Sequence, residues 1–268
     1  MNMLSRFYAS IRKALRRNRL IGVGATIFLC VLIVAFVASW IAPYDPLKLD
    51  PMNRLKGPSG SHWFGTDELG RDVFSRVLYG ARVSVTVGLS VAGLTTVVGG
   101  LIGLIAGVFP KLDAPIMRVM DGFMAMPGRL VAIALMAVLG PSVFNVVLAL
   151  SISHVPRMAR LLRSSVLVVR EMEYVEASKA LGVSGSRLMF RHILPNCLSP
   201  IIVEATSCFA FAVLSEASLS FLGVGVPPYI PSWGSMLSGG RQFMVKAPWL
   251  SLFPGFSIVF TVLGLNLL

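Results

Sequence analysis

Six long apolar stretches, separated by shorter polar segments, dominate the hydrophobic pattern of the chain. They cover residues 20–42, 83–109, 119–139, 143–162, 197–223 and 248–268. Several of them approach or exceed the ~20 apolar residues that an α-helix needs to cross a bilayer. We therefore predict an all-α fold, a polytopic membrane bundle of six transmembrane helices.

The polar segments divide this pattern into regions. A basic cytoplasmic N-terminus at 1–19 precedes the first transmembrane helix at 20–42, and a periplasmic loop at 43–80 precedes a core of five transmembrane helices at 81–268. The first apolar stretch is too long for a secretory signal and has no clear A-x-A cleavage site, so we expect it to be retained. The basic N-terminus without acids favours the cytoplasm, whereas the nearly charge-balanced loop favours the outside.

The loop at 43–80 contains two patterns that resemble ligand sites. The segment around His62 resembles a metal site, but His62 has no partner ligands at metal-binding spacing. The segment from Gly65 to Arg71 resembles a phosphate loop, but the G-x-x-x-x-G-K-[ST] motif occurs nowhere in the chain. We therefore interpret the segment as a folded outer loop that ends in an amphipathic turn at the membrane surface, Val73–Tyr79.

Small and charged residues within the apolar stretches have more than one interpretation. Gly99, Gly103 and Gly107 are spaced four apart, which suits close helix packing either between subunits or within this chain. In the third stretch we expect Pro127 to kink the helix and the charges Asp121 and Arg129 to reach the headgroups. A basic face at the end of the fourth stretch marks its cytoplasmic exit, through Arg157, Arg160 and Arg163.

Composition supports a membrane protein and argues against other classes. Hydrophobic residues make up 55% of the chain and charged residues only 13%. The net charge of +12 follows membrane topology, so no nucleic-acid partner is expected, and the natural contact is membrane lipid. Cys30, Cys197 and Cys208 have no metal-ligand spacing, and no nucleophile–base pair stands out. We predict no catalytic residue, no metal site and no enzymatic activity.

One polar loop, residues 171–196, has more internal order than a connector needs. A small and apolar stripe lies on one face of a two-turn helix, formed by Tyr174, Ala177, Ser178 and Leu181. Glu173 and Glu176 lie in its first turns, where the helix dipole favours negative charge, and Gly182 suits its end. Ser184 can cap a second short helix, which Pro195 ends. The loop therefore predicts a docking surface below the membrane.

Two acids lie inside the fifth apolar stretch. Glu204 and Glu216 are twelve residues apart, within about 60° of one another on a helix. Either they face a polar translocation pathway or they bond to hydroxyls such as those of Ser207, Ser215, Ser218 and Ser220. We take both as candidate pathway-lining residues, with Glu216 favoured. If either acid or Asp121 carried protons, the chain would be a proton-coupled secondary transporter, although such a transporter has no need of the 171–196 loop.

Six spans with a helix–Gly–helix–Pro loop between spans four and five resemble the permease subunits of bacterial ABC importers. The loop matches their EAA signature in spacing, with Glu176-Ala177-Ser178, then Gly182, then Leu194-Pro195. Ser178 replaces the second Ala of that signature, and His192 replaces its usual first Ile, as in the peptide-importer branch.

A second resemblance narrows the family to the DppC/OppC-type subunits of dipeptide, oligopeptide and nickel importers. The matching segments are His62-Trp63-Phe64-Gly65-Thr66-Asp67-Glu68-Leu69-Gly70-Arg71-Asp72-Val73-Phe74-Ser75-Arg76, Tyr79-Gly80-Ala81-Arg82, Arg191-His192-Ile193-Leu194-Pro195-Asn196, Leu219-Ser220-Phe221-Leu222-Gly223 and Pro231-Ser232-Trp233-Gly234. Members of this family usually continue past the position of Leu268 with Gly-Asp and a basic tail.

The resemblance implies a type I ABC importer permease fold in the bacterial inner membrane. It makes Glu173–Gly182 the coupling helix that contacts a separate ATPase. The implied partners are a DppB/OppB-like second permease, two ATP-binding subunits and a periplasmic substrate-binding protein. ATP and Mg²⁺ would then belong to the ATPases, and this chain would bind no cofactor. Peptides are the implied substrate class, with nickel or glutathione-like compounds as alternatives.

Overall fold

A computed structural model describes residues 19–267, most of which are helical. The helices are α1 (Arg19–Ile41), α2 (Val73–Val108), α3 (Pro110–Met124), α4 (Gly128–Leu139), α5 (Val143–Arg170), α6 (Glu173–Ala180), α7 (Gly185–Leu188), α8 (Leu198–Phe221), α9 (Trp233–Gly240) and α10 (Trp249–Asn266). Short turns of 3₁₀ or π-helix occur at Pro51–Asn53, Met189–Ile193, Leu194–Cys197 and Arg241–Phe243. The predicted basic segment at 1–19 lies, apart from Arg19, outside the described residues.

The six predicted spans fall in order on α1, α2, the α3–α4 pair, α5, α8 and α10. Among the described residues, four helical segments are long and apolar enough to cross a membrane, and a fifth is added if the bent α3–α4 pair counts as one span. Helix α5 has 28 residues, but its arginines make it more polar than those segments. The all-α prediction is confirmed.

The helix boundaries differ from the sequence-based prediction in three places, two of them in the region of the third span. The third span is broken, because α3 ends at Met124 and α4 begins at Gly128 with a bend of 81° between them. Pro127 therefore stands between two helices, where its fixed φ suits the N-cap position of α4. The polar segment between the second and third apolar stretches forms the helical start of α3, which begins at Pro110.

The predicted amphipathic turn at Val73–Tyr79 is instead the first two turns of α2. Val73 is fully buried and Val77 nearly so, and both pack into the protein core. Asp72 caps the helix, because its Oδ2 accepts the backbone N–H of Ser75 at 2.8 Å. The polar outer loop therefore ends at Asp72, eight residues before the predicted boundary at position 80.

The described chain forms two compact units. One contains the residues up to Thr86 and those from Glu216 onward, and the other contains Val87–Ser215. In the first unit, α1 packs on α10 where Gly24 meets the backbone of Gly264. Its core holds the apolar side chains of Val73, Val77, Met236, Ala247 and Leu250.

The outer loop is held to the start of α10 in this first unit. The ring of Phe64 stacks on Phe253 with centroids 3.8 Å apart, and the indole N–H of Trp249 donates to the carbonyl of Thr66 at 3.2 Å. Trp249 thus has a fixed partner within the protein. A short helix, α9, lies between the fifth and sixth predicted spans, and a capping box at Ser232 begins it.

The second unit is built on close packing of α2 against α5. A Cβ added at Gly99 would lie 2.8 Å from both the Val155 carbonyl and the Met158 side chain, and one at Gly107 would lie 2.6 Å from Val166. The glycine stripe therefore packs against a helix of the same chain, which decides between the two alternatives left open by the sequence.

Candidate functional site

The first half of the coupling loop, residues 171–196, folds as the short helix α6. It begins after Met172 and ends at Ala180. Glu173 and Glu176 lie in its first turn and Lys179 in its last, so each charge complements the nearer end of the helix dipole. The described helix therefore occupies the predicted position.

Gly182 ends α6 in a left-handed conformation, with φ of +76°. Its N–H donates to the Lys179 carbonyl at 2.9 Å, and the N–H of Val183 donates to the Ser178 carbonyl at 3.2 Å. These two bonds form a Schellman motif, which satisfies carbonyls that the helix end would otherwise leave unpaired. A residue with a Cβ would be strained at this point.

One side chain fixes α6 to the body of the second unit. Val175 is fully buried in an apolar cluster with Leu162, Val166 and Val169 of α5 and with Leu188 of α7. Burying a valine side chain contributes roughly 1.5–3 kcal/mol. Movement of α6 is therefore expected to pass to α5 through direct contact.

The opposite face of α6 is open. Leu181 is 85% exposed and Tyr174 is 40% exposed, and Ala177 is exposed between them. Ser178 is half-buried, and its hydroxyl donates to the Tyr174 carbonyl at 2.7 Å. The predicted contact stripe thus lies at the surface and presents small and apolar groups with little charge.

The second half of the coupling loop is less regular than predicted. Ser184 stands at the N-cap position of α7, but its side chain makes no capping hydrogen bond. The chain then passes through a π turn and a 3₁₀ turn before α8 begins at Leu198. Ile193 and Cys197 are buried and hold this segment against the same apolar cluster, whereas Phe190 is 53% exposed.

Glu216 lies in a closed polar cluster in the first unit. The carboxylate is fully buried and accepts hydrogen bonds from three serine hydroxyls, at 3.1 Å from Ser84, 2.8 Å from Ser220 and 2.9 Å from Ser232. Ser220 also accepts the N–H of Val226, and Ser232 caps α9. The cluster connects α2, α8 and the start of α9, and Ser220 alone of its hydroxyls was among the sequence candidates.

Glu204 has a different environment, in the second unit. Its buried carboxylate pairs with Arg157, with the Nε of the arginine 2.8 Å from Oε1. The Arg157 guanidinium also lies over the ring of Phe211, 5.7 Å from its centroid. A serine or threonine partner for Glu204 was one sequence-based alternative, whereas the structure gives it an arginine.

The two other arginines of the basic face of α5 are also paired. Arg160 pairs with Asp121, and Arg163 pairs with Asp113 through two nitrogens, its Nη2 lying 2.6 Å from Oδ2. Both acids belong to α3. Asp121, which is predicted to reach the headgroups, pairs with Arg160 and stays exposed. No pattern along the sequence indicated these pairs, because each joins residues far apart in the chain.

The helical bundle and its exposed, anchored loop define a polytopic membrane protein of the permease type. A solved structure of the MetNI methionine ABC transporter in inward-facing conformations has a chain with TM-score 0.58 and 16% identity, covering 70% of this chain and 90% of that one. At this identity the likeness shows the fold alone, which is the type I ABC importer permease fold. The predicted fold class is therefore confirmed.

Sequence comparisons then identify the family. Residues 99–268 match the binding-protein-dependent transport system inner membrane component, and residues 6–58 match the N-terminal transmembrane domain of oligopeptide transport permease C. The dipeptide transport system permease protein DppC of Alkalihalophilus pseudofirmus is 46% identical over 257 residues, covering 96% of this chain and 84% of that protein. The glutathione transport system permease protein GsiD of Pectobacterium atrosepticum is 41% identical over 260 residues, covering 96% and 86%.

The chain therefore belongs to the inner membrane components of binding-protein-dependent transport systems, and within them to the DppC/OppC-type permeases. This confirms the family that the sequence motifs predicted. A multi-pass position in the inner membrane follows from the family.

Proposed function

We propose that this chain is one permease subunit of an ATP-driven ABC importer for peptides and forms half of its translocation pathway. The observation that carries the proposal is the construction of α6, which is fixed to the bundle by Val175 and exposes Tyr174 and Leu181 on its other face. An exposed apolar side chain on a short helix that ends in a Schellman motif suits a docking contact with another protein.

The sequence favours binding of ATP by partner subunits and not by this chain. The chain has no phosphate-binding loop, so ATP and Mg²⁺ would be bound by two partner ATPase subunits. Docking of α6 on one ATPase places the coupling residues Glu173, Glu176, Ala177, Ser178 and Gly182 at or beside the contact. Closure of the ATPases would move α6, and Val175 would transmit that movement to α5 as part of a rigid body.

Two further partners are proposed from the family, the binding-protein-dependent transport systems. A second permease of the DppB/OppB type would form the other half of the pathway, and a periplasmic binding protein would deliver the substrate. The N-terminus would lie in the cytoplasm, as the basic residues before Leu20 favour. Glu204 and Glu216 remain candidates for lining the pathway.

Peptides are the substrate class that the names of the relatives support, because two of them are permeases for dipeptides and for glutathione. Glutathione is itself a small peptide, so a single pathway chemistry would serve both. Selection between them would fall largely to the binding protein.

A charge placed on the exposed stripe tests the docking role. We expect Leu181→Glu to insert normally into the membrane but to lose ATPase co-purification and ATP-dependent dipeptide uptake by about tenfold or more, as when a contact in the centre of an interface is lost. Val245→Glu is the matched control, because Val245 is fully exposed in the first unit. Normal co-purification and uptake in Leu181→Glu would contradict the docking role.

The energy source is tested separately. Uptake by membrane vesicles should require ATP and persist when a proton uncoupler is present. Uptake that is lost with the uncoupler and independent of ATP would instead support the proton-coupled transporter.

Glu176→Lys provides a second variant of the docking face, with the same expected loss of ATPase co-purification.

A further inference from the structure

A row of polar side chains lies on the surface of the second unit, near the middle of α5. Arg157 is close to the midpoint of the 28 residues of this helix, and its side chain is 53% exposed. Arg160 and its partner Asp121 are about half exposed beside it. We refer to Arg157, Arg160, Asp121, Glu204 and the neighbouring Phe211 as the arginine face.

The arginine face cannot be covered by lipid. Ionised side chains at membrane depth are costly unless they face water or other polar groups. Glu204, which belongs to the same face, is largely buried and held by Arg157, so the pair is fixed rather than able to reach the headgroups. The surface therefore faces the partner permease or water, either in the translocation pathway or at the cytoplasmic exit that the basic face of α5 marks.

The geometry of Arg157 favours the translocation pathway. Its Nε is used by Glu204, and the ring of Phe211 lies beneath the guanidinium. The ion pair with Glu204 is closest at Nε, and among the hydrogen bonds of residues 19–267 none is made by the terminal Nη atoms of Arg157. The guanidinium is thus oriented by two neighbours and keeps its terminal edge open, which is the arrangement that binds a carboxylate through two parallel hydrogen bonds.

We propose that the arginine face lines the translocation pathway and that the Nη edge of Arg157 binds the terminal carboxylate of a passing peptide. This proposal rests on the proposed peptide transport. Every peptide has a terminal carboxylate, so recognition of this group accepts many side chains. Glu204 acts as a positioning residue for Arg157, and Phe211 supports the guanidinium from one side.

Water access tests the first part of the proposal. The variant Arg157→Cys is combined with Glu204→Gln, so that no buried carboxylate is left without its partner. It is made in the assembled transporter, in a chain whose native cysteines are replaced through Cys30→Ser, Cys197→Ala and Cys208→Ala. We expect a negatively charged thiol reagent in vesicles to label it, and a transported dipeptide to slow that labelling. Met158→Cys is the matched control, because Met158 is the next residue of α5 and is fully buried. Absence of labelling at position 157 would place the face against the partner permease and overturn the proposal. Labelling that the dipeptide does not slow would place the face at the cytoplasmic exit and overturn it as well.

A set of charge variants tests the carboxylate contact. Arg157→Gln alone leaves Glu204 without its partner and is expected to impair folding as well as uptake. The double variant Arg157→Gln with Glu204→Gln removes both charges, so assembly with the ATPases should recover. Dipeptide uptake should nevertheless stay about tenfold or more below the wild type, the loss expected when a charge-assisted hydrogen bond is removed. Arg157→Lys should keep part of the uptake.

The outcomes separate this proposal from the proposed function. Recovery of uptake in the double variant would show that Arg157 serves only to neutralise Glu204, and the proposal would fail while peptide import stood. If the assembled wild type imported no dipeptide, the proposed function would fail and the carboxylate contact would fall with it. Labelling of Arg157→Cys would then still decide whether the face is open to water.

Discussion

Gly103 of α2 lies directly on the backbone of Ala159 in α5. A Cβ added at Gly103 would collide with the Ala159 carbonyl oxygen and would lie 3.0 Å from its Cα. Backbone atoms cannot move aside as the end of a flexible side chain can. Helices in a membrane gain stability mainly from close packing of this kind, since lipid provides no hydrophobic drive for association.

Gly103→Ala is therefore expected to destabilise the bundle by about 1–3 kcal/mol, the usual cost of overpacking. Thermal unfolding of the purified transporter in detergent measures the effect. Gly93→Ala is the matched control on the same helix, because a Cβ there meets nothing within 4 Å. Equal stability of the two variants would contradict the close approach of α2 and α5.

Gly182→Ala is expected to loosen the end of α6 without creating a clash. A Cβ at Gly182 has open space around it, so its effect is confined to the positive φ of +76°. The left-handed conformation costs a non-glycine residue roughly 1–2 kcal/mol. Hydrogen exchange of the Val183 amide should therefore accelerate by about fivefold or more.

Gly185→Ala is the control for this effect, because Gly185 also has open space but begins α7 without a positive φ. Its amide exchange pattern around α6 should match that of the wild type. If the Val183 amide of Gly182→Ala exchanged as slowly as in the wild type, the Schellman motif would not limit opening of this segment.

Local sequence patterns predicted much of this architecture, because its causes are local. Apolar runs placed the helices, and the coupling loop was recognisable because the charges of α6 and the glycine after it act within a few residues. The break before Gly128 was missed because one proline inside an apolar run is compatible with either a kink or a full break. Packing beyond the helix decided which occurred.

The environments of the two acids could not be predicted for a different reason. Glu204 pairs with Arg157 and Glu216 contacts Ser84, and both partners lie far away along the chain. Periodicity shows which face of a helix a residue occupies but not what packs on that face. The bond from Trp249 to Thr66 could not be predicted either, because an aromatic residue at a span end suits either an interfacial position or a hydrogen bond within the protein.

Glu216→Ala should destabilise the first unit more than loss of a single hydroxyl. The substitution leaves three serine hydroxyls without their shared acceptor, and an unsatisfied buried polar group costs about 1–3 kcal/mol. Ser84→Ala removes only one donor and serves as the comparison. Glu216→Gln should be intermediate, because its carbonyl oxygen can still accept from Ser220 and Ser232. Thermal unfolding in detergent gives the order, and a Gln variant as unstable as the Ala variant would contradict this account.

Asp67 organises the outer loop through a buried carboxylate. Its Oδ1 accepts the backbone N–H groups of Leu69 and Arg71 at 2.9 Å each, and its Oδ2 accepts the Nε of Arg71 at 2.6 Å. The guanidinium of Arg76 is also nearby, with Nε 3.6 Å from Oδ2. Two arginines therefore depend on this one acid, with Glu68 as a weaker second partner for Arg71 at 3.2 Å.

Asp67→Asn is the variant that tests this role. If the amide oxygen keeps the two backbone donors, its NH₂ group must face the Arg71 guanidinium, and a buried charge loses its partner. Breaking a buried ion pair in this way costs about 3–5 kcal/mol. We expect the loop between α1 and α2 to become sensitive to protease in the detergent-solubilised transporter. Glu68→Gln, at the more exposed partner of the same arginine, should leave the loop resistant, and equal resistance of Asp67→Asn would show that backbone contacts alone hold the loop.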